Sequence, residues 1–251
     1  PGGAKICNLI RSIHMKKTLL TLALALLAGG AQAVPLSDLL GGQTIQAGDK
    51  KFDQWAFVFS DESDAAFAVD PADIEVSALN DGGDDPGPGL QFSIEDGDLG
   101  VIGDGVFAYT DYSFSFRVTS LTGKLIKDVS MGGFFGSLDY DEEEGGEDLL
   151  ATIIETVKDK DGKVLGTIEV TESILGGVED YVGFDSLVFA PQSEIFVTKN
   201  IGVWSSAQGE AIYITDFYQR YSQTSVPEPA TLGLLGLGLL GLGFARARRQ
   251  G

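Results

Sequence analysis

Carboxylates are the side chains that this 251-residue sequence spaces closely enough to do chemistry. Asp81-Gly82-Gly83-Asp84-Asp85 runs into Pro86 and Pro88, and Asp96-Gly97-Asp98 follows soon after. Close-set acids on a glycine-loosened backbone can wrap a hard cation. Asp81, Asp84, Asp85, Asp96 and Asp98 are therefore the candidate ligands and Ca²⁺ the candidate cofactor. The spacing matches neither an EF-hand nor the Gly-Gly-x-Gly-x-Asp repeat. Aspartate and glycine are also ordinary turn formers, so the competing expectation is a set of solvated turns. A second block, from Asp139 to Asp148, carries seven acids in ten positions, and its own repulsion should hold it in solvent.

Other reactive groups are missing where they would be needed. The single histidine, His14, and the single cysteine, Cys7, both precede residue 34. A body spanning Val34–Ser225 thus has no disulfide, no thiol nucleophile, no Ser-His-Asp triad and no Cys/His zinc site. A glycosidase would need two acids at a set separation, one of raised pKa, and no pair stands out. No catalytic residue is nominated, and the protein reads as a non-enzyme. Ten aromatic residues invite a binding role: Trp55, Tyr109, Tyr112, Tyr140, Tyr181, Trp204, Tyr213, Phe217, Tyr218 and Tyr221. Rings gathered on one exposed face beside acids would suit carbohydrate, whereas rings at strand spacing usually pack in the core.

The elements that would position these groups are strands. Ser113-Phe114-Ser115-Phe116-Arg117-Val118 alternates strictly, as a half-buried strand does. Strand-like runs also occur at Trp55–Ser60, Leu90–Ile94, Leu125–Met131, Leu149–Val157, Lys163–Thr171, Ser186–Ala190, Glu194–Val203 and Ala211–Tyr221. Asp159-Lys160-Asp161-Gly162 between two of them predicts a hairpin turn. About ten strands without a long helical period predict a mainly β fold, a single antiparallel β-sandwich of jelly-roll or immunoglobulin-like type.

Both chain ends read as addresses. Met15-Lys16-Lys17, the apolar Thr18–Ala28 and Ala31-Gln32-Ala33 have the order of a secretory signal peptide, with cleavage after Ala33. Residues 1–14 read as an upstream non-native extension. At the other end, Val226-Pro227-Glu228-Pro229 should stay extended because proline fixes φ and withholds donors. Residues 230–245 carry no charge and would be about 24 Å long as a helix, a short membrane span. Arg246, Arg248 and Arg249 behind it favour a cytoplasmic C-terminus. This order of a Pro-Glu-Pro motif, an apolar helix and an Arg cluster resembles the PEP-CTERM sorting tail, also known as the ice-binding protein C-terminal domain. The resemblance implies export, processing by signal peptidase and by an exosortase, and passage through an inner-membrane anchor to the cell surface. The opening "LSDLL…G…I…GDK.F…W" resembles a recurrent group of such cargo domains. The expected organisation is an extension (1–14), a signal peptide (15–33), an acidic sandwich (34–225) and a sorting tail (226–249).

The body carries ten Lys and Arg against 36 Asp and Glu, a balance of −26. That field repels nucleic acid and anionic lipid. The reading is an exported surface or matrix protein of structural or interaction type. The alternative is a carbohydrate-binding module for extracellular polysaccharide, and the third is a carboxylate glycosidase.

Overall fold

The computed structural model describes residues 33–95, 97–138, 148–206 and 208–225. Within them the chain is mainly β. Its elements in order are β1 (Val34–Pro35), α1 (Leu36–Leu40), β2 (Ile45–Ala47), β3 (Lys50–Glu62), β4 (Ile74–Leu79), β5 (Gly89–Ile94), β6 (Gly100–Asp104), β7 (Ala108–Ser120), β8 (Leu125–Leu138), β9 (Leu149–Lys158), β10 (Val164–Leu175), β11 (Val178–Val182), β12 (Phe184–Gln192), β13 (Glu194–Ser205), β14 (Gln208–Arg220) and β15 (Gln223–Thr224). Two antiparallel sheets result. The first runs β1-β4-β5-β14-β8-β12, with β6 also on β14 and β15 on β8. The second runs β11-β10-β9-β13-β7-β3-β2.

Period-two alternation explains the core. In β9, Leu149, Ala151, Ile153 and Val157 point inward, and in β13 so do Ile195, Val197, Ile201 and Val203. Phe92 of β5 stacks on Phe217 of β14 with centroids 4.4 Å apart, and Trp55 stacks on Phe116 at 4.5 Å. Fully burying each such side chain is worth about 1.5–3 kcal/mol. The two sheets thus share one hydrophobic core.

Each predicted run coincides with a strand, with Lys163 and Tyr221 lying one residue outside β10 and β14, but the strands are longer and more numerous. Trp55–Ser60 lies inside the 13-residue β3, and short strands such as β1, β2 and β15 were too brief to leave an alternation signal. α1 was not expected either. Leu36 and Leu39 lie three apart and so share the face that packs on the core, where both are buried. The Asp159–Gly162 hairpin turn is present: Gly162 adopts φ +81°, and the Asp159 carboxylate accepts from the backbone N–H of Asp161 and of Lys163 at 2.9 Å. Among the described residues no helix is long and apolar enough to cross a membrane. The expected span at 230–245 and residues 15–32 of the expected signal peptide lie outside them.

Candidate functional site: a groove on the outer face of the first sheet

β14 alternates inward Phe217 and Gln219 with outward Tyr218 and Arg220. Strand register then sets Gln91, Tyr218, Gly132 and Phe184 side by side in one row across β5, β14, β8 and β12. The next row is Leu79, Gly89, Arg220, Ser130 and Ser186. These rows floor a groove of about 550 Å³, within the range of small-molecule sites. It crosses five strands, a span of about 19 Å at strand spacing, which suits an extended chain better than a single ring. Gly132 makes the floor possible. A Cβ there would sit 2.4 Å from the Tyr218 ring, so its absence lets that ring lie across the sheet. Tyr213 lies over Gly136 in the same way. Polar groups surround the rings: the Gln91 amide donates to Asp216 at 2.9 Å, and Asp128, Ser130 and Ser186 line the cleft.

Of the candidate metal ligands, Asp81, Asp84 and Asp85 lie at one end of this groove. Arg220 donates to both oxygens of Asp81 at 3.0 and 3.1 Å. Lys124 donates to Asp84, which also accepts from the Gln223 amide at 2.9 Å. Lys127 donates to Asp85 at 2.6 Å, and Asp85 and Pro86 line the groove. The like charges of Asp81, Asp84 and Asp85 are thus each paired with a basic side chain, and the three pairs strap the loop to β8, β14 and the β7–β8 turn. Asp98 lies apart, beside a smaller cavity that Tyr213 also lines. Among the described residues no three His, Cys, Asp or Glu side chains converge as a metal-binding group. Asp96, Ala31, Val226, Pro227, Glu228, Pro229, Arg246, Arg248 and Arg249 lie outside the described residues, as does 139–147 of the second acidic block, and Ala33 is exposed just before β1.

The strap has a pH signature. Hydrogen bonds from Lys124 and Lys127 lower the Asp84 and Asp85 carboxyls below the ordinary aspartate range. A depressed carboxylate contributes its stability above the unfolded value and loses it as pH falls through the folded one. Carboxyl NMR titration should place both midpoints below those of a free aspartate, and Lys124→Met with Lys127→Met should return them. Unshifted midpoints in the parent protein would mean that the straps do not persist in solution.

The ten aromatic residues divide. Trp55, Tyr112, Phe217 and Tyr221 are buried. Tyr218, Tyr213 and Trp204 are half-buried on outer faces, Tyr181 is exposed, and Tyr140 lies outside the described residues. On the outer face of the second sheet, Phe107 meets Tyr109 at 5.5 Å and Trp204 at 5.4 Å, while Tyr109 donates its hydroxyl to Asp61.

A buried charged group was missed by the sequence reading. Glu155 of β9 and Lys199 of β13 are directly opposed, both fully buried, with Nζ 2.6 Å from Oε2. Gln219 of the other sheet donates to the same carboxylate, and Lys199 lies 5.1 Å from the Phe217 ring centroid and 3.4 Å from the Met131 sulfur. Burial pushes Glu155 up and Lys199 down. The available signal was phase: both occupy inward positions of strictly alternating strands.

Comparison with known proteins bears on the chain end. The PEP-CTERM protein-sorting motif matches residues 225–249. The chain carries a PEP-CTERM tail. That tail marks an exported protein that an exosortase processes. No curated protein matches the sequence. Solved structures similar to this chain include the mannan-recognising carbohydrate-binding module TmCBM27, at 13% identity over 77% of this chain and 97% of that one, with a TM-score of 0.28. The CBM22-1 xylan-binding domain of Paenibacillus barcinonensis Xyn10C gives 12%, 72% and 99%, with a TM-score of 0.25. The enzymatically active domain of bacteriophage CBA120 tailspike protein 4 gives 13% over 68% of this chain, which spans only 19% of that protein, with a TM-score of 0.22.

Proposed function

We propose that this exported, PEP-CTERM-tailed protein is a cell-surface or matrix component that binds extracellular polysaccharide in the groove of the first sheet. The observation that carries the reading is the Gln91–Tyr218–Gly132–Phe184 row. It offers a ring laid open by a glycine, a second exposed ring two strands away and amide and hydroxyl groups alongside. Such a surface stacks on sugar faces and hydrogen-bonds their hydroxyls. Binding is favoured over hydrolysis because a glycosidase holds one carboxylic acid protonated. Asp85 in the groove is pushed the other way by Lys127.

Affinity electrophoresis of the secreted protein in gels containing soluble β-linked polysaccharides tests the reading. At least one polymer should retard it, and Tyr218→Ala should weaken retardation about tenfold or more, since truncating an aromatic anchor costs about 2 kcal/mol. Equal retardation of parent and variant would remove the groove from consideration.

A further inference from the structure

The charges around the groove narrow its ligand, provided that the polysaccharide reading holds. Its cations are committed. Arg220 spends both terminal nitrogens on Asp81 and on the carbonyls of Asp81 and Gly87. Lys127 is held 2.6 Å from Asp85. Asp128 is different. It lies in the cleft opposite Val188, its side chain is 17% exposed, and the ion pair it makes is a loose 3.7 Å approach from Lys127. Lys127 is closer to Asp85. A sugar carboxylate entering the groove therefore meets no uncommitted cation among the described residues and, in Asp128, an acid whose one cation partner sits nearer to Asp85, inside a body whose balance is −26 (ten Lys and Arg against 36 Asp and Glu). A sugar ammonium meets a carboxylate with accepting capacity to spare, beside the Ser130 and Ser186 hydroxyls.

From this we infer that the groove takes an amino-sugar polysaccharide with free ammonium groups, accepts neutral chains less well and rejects uronic-acid polymers, with Asp128 as the residue that sets the preference. A hydrogen bond to a charged partner adds enough for about tenfold in affinity. Like charges placed together act as the rejecting element that specificity requires.

The test uses three β-1,4-linked hexasaccharides of matched length, fully deacetylated chitohexaose, cellohexaose and hexamannuronate, titrated calorimetrically into the mature secreted protein at mildly acidic pH where the amines are protonated. Chitohexaose should bind about tenfold more tightly than cellohexaose, and hexamannuronate should give no binding. Asp128→Asn should abolish the preference, bringing chitohexaose down to the level at which the same variant binds cellohexaose. Tyr218→Ala should remove both. Raised salt should shrink the preference, because screening acts on the charged pair alone. Chitohexaose that still binds Tyr218→Ala would be held by the general surface charge, which overturns the inference. Equal binding of the first two sugars, or a preference unmoved by Asp128→Asn, also overturns it while leaving the groove as a sugar site. Failure of all three probes together with unretarded mobility in every polysaccharide gel would take the groove reading down with it.

Discussion

Lys199→Met is expected to lower the unfolding free energy by about 3–5 kcal/mol, the usual cost of leaving one charge of a buried pair alone. Glu155 would keep only the Gln219 amide, in a site with no solvent exposure at all. Burial opposes both charges. A raised carboxyl such as Glu155 contributes its stability below the unfolded carboxylate range and loses it as pH rises. A depressed amine such as Lys199 contributes its stability above the unfolded lysine range and loses it as pH falls. Neutral pH lies between the two windows, so there only mutual attraction and hydrogen bonds hold the pair in place. Replacing the whole group, Glu155→Leu with Lys199→Met and Gln219→Leu, should therefore restore stability at pH 7 and exceed the parent by about 1–4 kcal/mol. Urea unfolding of the parent, single and triple variants measures both effects. A single variant within about 1 kcal/mol of the parent would show that the pair is not charged in the fold, since stranding a buried charge costs about 3–5 kcal/mol.

Changing Pro227, Glu228 and Pro229 together to alanine should stop tail maturation outright. The motif match covers these residues, and proline fixes φ and withholds a backbone donor, two constraints that alanine lacks. The triple variant removes both prolines and the acid between them, so the motif that the sorting machinery would read is gone. The expected result is a precursor retained with membranes and still ending in Arg246–Arg249, detected by C-terminal peptide mass spectrometry. Release of normally trimmed protein would show that recognition lies elsewhere in the tail.

Strand existence was legible because alternation survives in long strands. The nine predicted runs lie in strands whose inward positions are mostly apolar, as in β9 and β13. The groove was not legible. Tyr218, Gln91 and Phe184 are 34 to 127 positions apart, and only strand order and register make them neighbours. The acids at 81, 84 and 85 were found, but their partners Arg220, Lys124 and Lys127 are distant in sequence. Local charge density therefore suggested a cation site or solvated turns where the fold supplies ion pairs. Glu155 and Lys199 were hidden for a different reason: a charged residue within a strand reads as a solvent-facing one unless its phase is counted.

β15 is only two residues long, and the sorting tail begins just beyond it. It lies on Leu125 and Ile126 of β8, and the Gln223 side chain joins Asp84 to the buried Lys50. A load applied through the tail, such as drag on a protein still anchored at its C-terminus, enters the body at this short strand. Two paired residues offer little resistance to peeling. Once β15 lifts, Gln223 leaves Asp84, one of the three straps of the 81–88 loop at the groove's end loses its neighbour, and Lys50 is opened to water. Tension on a C-terminal anchor would therefore act on β15 first and on the loop bordering the groove next, and removal of the tail would relieve both.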